Sequence, residues 1–212
     1  MKLSQLKLKT SDLLILDKKI LRNLEPSEDV LSANIKYWLK NRELIALKKG
    51  SYILQGQYTK EPQKDLYLEY IANQLLTPSY LSLEYVLAKY QLLTEGVTAM
   101  TSITPKTSRE IVNDLSAFRY YSISPKLFTG YTVKYFYKAP VLEATKSKAL
   151  FDYLYLRFLK NKPISKQAII DLRLNWENIS KKEFLSAYSY LKLTRSQRLR
   201  KVFNLIKQLY YA

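Results

Sequence analysis

Two lysines and a glycine, Lys48-Lys49-Gly50, stand between the short apolar runs Leu44-Ile45-Ala46-Leu47 and Ser51-Tyr52-Ile53-Leu54. Glycine takes φ > 0 at no steric cost, so the chain can reverse there and carry both ammonium groups at an exposed hairpin tip. Just upstream, Lys36, Lys40 and Arg42 add long cations. With Lys48 and Lys49 they suit phosphate oxygens, which give affinity without sequence preference. Ser32, Asn34 and Tyr37 are the polar groups near the start of the same segment that can meet base edges, Asn34 adenine among them. Each of these three reads equally as a helix-flank residue that binds nothing. Ser51, beside the turn, completes the N-terminal set of candidate DNA contacts. A second cationic group, Arg195, Arg198, Arg200 and Lys201, lies near the other end and is a further candidate for contact with nucleic acid or a partner.

Other chemistries are excluded by composition. The chain has no histidine and no cysteine, so the usual general base near pH 7, the commonest metal ligand and any thiolate site are missing. Four glycines in 212 residues build neither a phosphate-cradling loop nor a G-x-S-x-G elbow. Glu143 near Lys146 and Lys148 faintly suggests a nuclease-type acid and lysine, but the spacing is wrong and a helix start accounts for the acid. No catalytic residue, metal site or cofactor is expected.

Thr10 or Ser11 is expected to cap a short helix through Leu13, Leu14 and Leu16, with a second short apolar segment at Ile20, Leu21 and Leu24. Pro26-Ser27-Glu28-Asp29 signals a stronger start: a hydroxyl cap, then two acids facing the positive end of the helix dipole. The helix it opens, about Glu28 to Asn41, places Leu31, Ile35, Trp38 and Leu39 on one side; Trp38 belongs to the core. Short helices, a longer amphipathic helix and a basic hairpin follow the order of a winged helix-turn-helix, over residues 1–58. In that motif a helix enters the major groove and the hairpin tip touches the adjacent backbone.

The polar stretch Gln57 to Lys64 breaks periodicity and marks the domain boundary. Leu68, Ile71, Ala72 and Leu75 then recur at helical spacing up to Pro78. Ser82 opens a helix with Leu83, Val86, Leu87 and Tyr90. Extended runs follow at Val97–Ile103, Phe118–Ile123 and Tyr131–Tyr137, and a helix takes in Leu150, Tyr153, Leu154 and Phe158. Helices around a small group of strands give an α+β class, with a mixed α/β C-terminal domain over 59–212. Tyrosines at alternating strand positions read as half-buried packing residues rather than stacking platforms for bases.

Pro78-Ser79-Tyr80, Ser82-Leu83-Glu84 and Thr101-Ser102-Ile103-Thr104, followed by Lys106 and Arg109, form a pattern in Thr77 to Ile111 that resembles the core signature of the AbiEi antitoxin family. Phe128-Thr129-Gly130 and Ala144 through Lys148-Ala149-Leu150-Phe151-Asp152 are similar to further marks of that family. The chain departs from it at Tyr90-Gln91-Leu92, where the family often has Tyr-Gly-Leu. The resemblance spans about residues 10–158. It implies a type IV antitoxin whose winged-helix domain binds inverted repeats in its own promoter. The C-terminal domain then counters a nucleotidyltransferase-like toxin without a stable complex. The signature residues themselves read as structural.

The tail, residues 159–212, matches nothing in that pattern. Ser165, Ser180 and Thr194 can each cap a helix. Leu199, Val202, Phe203, Ile206 and Leu209 fall on one side of the last one, which is expected to dock on the domain. The net charge of +17 is uneven: 12 Lys/Arg against 6 Asp/Glu in residues 1–60, 10 against 9 in 61–155, and 13 against 3 in 156–212. A polyanion responds to such local charge. No apolar run approaches the roughly 18 residues of a membrane span, and no export signal is seen, so a cytoplasmic protein is expected. The partners expected are duplex DNA, bound by one copy or a pair, and the toxin. Two alternatives stand beside this reading: an antitoxin whose basic tail clamps an acidic toxin directly, and an RNA-binding module.

Overall fold

A computed structural model describes residues 1–93, 95–159 and 163–211. Its first helix, α1 (Leu3–Lys9), precedes Thr10 rather than following it. Thr10 closes that helix, its Oγ1 donating to the Leu6 carbonyl at 2.8 Å, while Leu16 enters the short strand β1 (Leu16–Asp17). Asp17 caps α2 (Lys18–Leu24), accepting from the Ile20 N–H at 2.8 Å. Then comes α3 (Glu28–Lys40), which buries Leu31, Ile35 and Trp38. The expected Ser27 side-chain cap is not made. Glu28 instead pairs with Lys18 and Arg22 of α2, and Arg22 first, then Lys18, lowers its carboxyl pKa to about 2.

The hairpin β2 (Leu44–Lys48) and β3 (Ser51–Leu54) turns at Lys49-Gly50, with Gly50 at φ 77°. The Gly50 carbonyl accepts from the Lys18 N–H at 2.8 Å, tying the tip to the start of α2. β1 pairs antiparallel with β3, so the small sheet runs β1-β3-β2. A short helix, α4 (Gln55–Lys60), occupies much of the stretch that polarity alone marks as a boundary.

The second unit starts with α5 (Lys64–Leu75) and continues β4 (Tyr80–Leu81), α6 (Leu83–Lys89), β5 (Met100–Thr104), β6 (Arg109–Val112), β7 (Ala117–Ser122), β8 (Tyr131–Phe136), β9 (Ala139–Ala144) and α7 (Lys146–Phe158). The strands form a mixed six-stranded sheet, β6-β7-β5-β4-β9-β8, in which β5–β7 and β4–β9 run parallel. The α+β class is as expected, although β4, β6 and β9 are short or lack alternation and leave no clear mark in the sequence. α5 packs across β4, β5, β8 and β9, α6 against β5, and α7 against α6 and β9. Because β4 is so short, Asn73 of α5 continues the ladder beside β9. Its Oδ1 accepts from the Leu142 N–H at 2.7 Å, and its Nδ2 donates to the Leu142 carbonyl at 3.3 Å.

Along β8 the inward residue is Phe136, 1% exposed and stacked on Tyr67 at 5.0 Å between ring centroids. Tyr135 and Tyr137 face outward, 64% and 61% exposed, so the packing role expected of these tyrosines fails at two positions. Phenylalanine has no polar tip to keep wet and takes the buried side of the pleat.

Within the expected tail, residues 160–162 lie outside the described residues. Beyond it are α8 (Lys166–Ile170), α9 (Lys181–Ser189) and α10 (Gln197–Tyr210). Ser165 caps α8 and Ser180 forms a capping box with Glu183 on α9. Ser196, not Thr194, caps α10, because Thr194 lies two residues too early and its hydroxyl accepts from the Ser196 N–H. α10 docks as expected, burying Leu199, Val202, Phe203 and Ile206 against α7 and its neighbours.

Two apolar clusters result. The smaller joins Leu6, Leu16, Leu21, Leu31, Ile35, Trp38, Leu44 and Leu54. The larger fills the second unit and also takes Ile45, Leu47 and Ile53 from the hairpin. With a period of two, β2 and β3 thus give one face to each core. No helix among the described residues is long and apolar enough to cross a membrane.

Candidate nucleic-acid interface

The wheel that buries Leu31, Ile35 and Trp38 puts Lys36, Tyr37 and Lys40 on the outer side of α3, all exposed, Tyr37 at 65%. Arg42 follows, exposed at φ 54°, and Lys49 is exposed at the hairpin tip. Among the described residues, none of Lys36, Lys40, Arg42 and Lys49 has a carboxylate within ion-pair distance, whereas Lys18 and Arg22 of the neighbouring α2 share Glu28. Among the described residues α3 and the tip therefore present cations with no carboxylate partner, as does Lys19 of α2, while Lys18 and Arg22 are paired.

Four residues of the expected set are placed otherwise. Lys48 turns away from the tip: its Nζ donates to the Leu75 carbonyl at 2.7 Å, at the last residue of α5. A cation there satisfies a terminal carbonyl and meets the negative end of the helix dipole. Burial, with Arg109 and Lys106 close by, lowers the pKa of Lys48 below the ordinary lysine value. Ser51 is buried within the ladder, opposite Asp17 and Lys48. Asn34 is half-buried and donates to the Met1 carbonyl at 3.4 Å rather than standing free for adenine. In the tail, Arg198 donates from Nε to the Phe158 carbonyl at 2.9 Å, at the end of α7, while Arg195, Arg200 and Lys201 remain exposed. Ser32 is half-buried at the inner edge of the α3 face.

Several polar residues of the second unit converge on one buried point. Asp152 and Lys148 are both 0% exposed and paired, one helical turn apart on α7. Asp152 Oδ2 also accepts from the Ser82 hydroxyl at 2.8 Å and the Tyr80 hydroxyl at 3.0 Å. Ser82 therefore does not cap α6; its hydroxyl serves Asp152, and its carbonyl accepts from Thr101 Oγ1 at 2.7 Å. The same Thr101 oxygen accepts from the Tyr85 N–H at 3.0 Å, and Thr104 Oγ1 donates to the Pro78 carbonyl at 2.8 Å. Lys148 Nζ lies 5.2 to 5.5 Å from the ring centroids of Tyr80, Phe151 and Tyr190. Burial raises the pKa of Asp152 and lowers that of Lys148, against their mutual attraction. Gly130 sits beside this group at φ 78°, where a Cβ would overlap the Tyr190 hydroxyl. Sequence spacing cannot reveal such a cluster, because its members come from positions about 70 apart.

Glu143 is likewise explained by position rather than by a helix start. It lies in β9, 1% exposed, and pairs with Lys134 of β8 and Lys89 of α6; Lys89 also binds the buried Glu69. Both lysines neutralise buried acids, and no group of three or more metal-ligating side chains occurs among the described residues.

Comparison with known proteins gives no match to a family model and no match to a curated protein.

Proposed function

We propose that this chain binds duplex DNA through its N-terminal unit, a winged helix-turn-helix, and acts as an autorepressor and antitoxin. The observation that carries the DNA reading is the outer face of α3. Lys36, Tyr37 and Lys40 are exposed there and Lys49 is exposed at the hairpin tip, the lysines having no carboxylate within ion-pair distance among the described residues, on a unit in which β1 pairs with β3 to hold the hairpin. Cations left unpaired on an ordered helix and a tight turn suit phosphate, because the backbone that carries them is already ordered. In this reading Lys36, Lys40, Arg42 and Lys49 meet the backbone, Tyr37 and Ser32 lie nearest the base edges, and α3 enters the major groove.

The antitoxin role rests on the resemblance in Thr77 to Ile111. The gathering of Tyr80, Ser82, Thr101, Gly130, Lys148 and Asp152 into one network supports reading those marks as the frame of the second unit. The toxin, a nucleotidyltransferase-like protein in this reading, is countered without a lasting complex. A gel shift with the duplex upstream of the chain's own coding sequence tests the DNA reading. Retention of that duplex against excess unrelated duplex and RNA is expected. Equal loss to both competitors contradicts it.

A further inference from the structure

The edge strand of the small sheet, β2, lies beside the edge strand of the large one. Asn113, directly after β6, donates from Nδ2 to the Leu47 carbonyl at 3.0 Å, and Lys48 reaches α5 at Leu75. The hairpin is thus fixed to the second unit at two adjacent residues. The connection between β5 and β6 comes close to Lys48: Thr104 Oγ1 donates to the Pro78 carbonyl, three residues past Leu75, Lys106 stands in the turn that follows and Arg109 opens β6, both exposed. Their positive charge adds to burial in lowering the pKa of Lys48.

That turn is held firmly. The Lys106 N–H donates to Thr104 Oγ1 at 3.2 Å, and Ser108 Oγ accepts from the Ser122 N–H at 2.8 Å. Among the described residues neither Lys106 nor Arg109 has a carboxylate within ion-pair distance, although Glu110 next door is paired with Arg119. Fixed like charges without counter-charges destabilise one another, and an arriving polyanion relieves this.

We infer that Lys106 and Arg109 form a second phosphate grip, so that the DNA-binding surface continues from the hairpin tip across the edge of the large sheet. This rests on the DNA reading above and adds to it a contact by the second unit. A duplex seated on α3 and Lys49 then neutralises at least two further phosphates, and the second unit takes part in DNA binding rather than merely trailing from it.

The test compares salt dependence of duplex binding for the intact chain, the K106A/R109A variant and a charge-matched K181A/K182A variant, whose lysines are exposed at the start of α9. Each lost phosphate contact lowers the slope of log affinity on log salt by about 0.9. K106A/R109A is expected to lose about two in slope and on the order of tenfold or more in affinity at low salt, with no fall in melting temperature. K181A/K182A is expected to lose neither. Equal losses in both variants reduce the effect to net charge and overturn the proposal. An unchanged slope for K106A/R109A overturns it while leaving the α3 surface intact, provided K36A/K40A still weakens binding. A parent chain with no affinity for duplex overturns both.

Discussion

Asp152 and Lys36 stand for two regions that use polar side chains in opposite ways. Around Asp152 every charge is dry and partnered: a carboxylate with a lysine, two hydroxyls and three aromatic rings around the pair. On the outer face of α3, Lys36 and Lys40 are wet and without an ion-pair partner among the described residues. A buried, fully connected network specifies one arrangement and penalises any other. An exposed unpaired row adds little to stability and is available to a ligand. Tyr80, Ser82, Lys148 and Asp152 thus build the frame, while the cations proposed to bind DNA on α3 and the tip stand out by charge and spacing alone.

The contrast breaks most visibly at Asp152. Asp152→Ala strands the Lys148 ammonium in an apolar site and is expected to destabilise the chain by about 3–5 kcal/mol in urea unfolding. K148M/D152L, which removes both charges, is expected to recover most of that loss. A cost for the single variant below about 1 kcal/mol would show that the pair is solvated. Gly130→Ala comes next, with an expected loss of about 1–3 kcal/mol from its positive φ and the overlap with Tyr190. Adding Tyr190→Phe removes the overlapping hydroxyl but not the φ strain, so rescue is expected to be partial.

Lys48 and Lys49 sharpen the comparison, because adjacent lysines are assigned to different regions. Lys48→Ala is expected to lower stability by about 1 kcal/mol through the lost bond to Leu75, with little change in the salt slope for DNA. Lys49→Ala is expected to leave stability within about 0.5 kcal/mol and lower the slope by about 0.9. Exchange of these outcomes would place Lys48 on DNA and Lys49 on the protein. The smallest effect concerns pH. The folded-state pKa of Glu28 is lowered by Arg22 and Lys18, so its contribution is present above the unfolded carboxyl pKa and is lost as pH falls toward about 2. Acid unfolding of Glu28→Gln is expected to show a slightly shallower decline across that window than the parent chain.

Much of the first unit was legible from local signals. Glu28 and Asp29 ahead of Leu31, Ile35 and Trp38 mark α3 to within a residue, and Gly50 marks the turn. The first helix was not, because Thr10 looks the same as an N-cap or as a C-terminal residue bonding back to Leu6. In the second unit, periodicity locates α5, α6 and α7, but β6 and β9 show no alternation and owe their extended form to neighbouring strands. The site was legible only as a set of exposed cations. Which lysine turns inward at the hairpin depends on where α5 ends in space, and Arg198 faces inward because Phe158 closes α7 beside it. No local rule carries either fact.

The central claim is that duplex DNA seats on α3 and the hairpin tip. Hydrogen–deuterium exchange of the full chain, with and without the upstream duplex, tests it most directly. Peptides covering Glu28–Lys40 and residues 48–51 are expected to gain protection, while those covering Gln197–Tyr210 stay unchanged. Protection confined to that last helix, with α3 exchanging as in the free protein, would contradict the account.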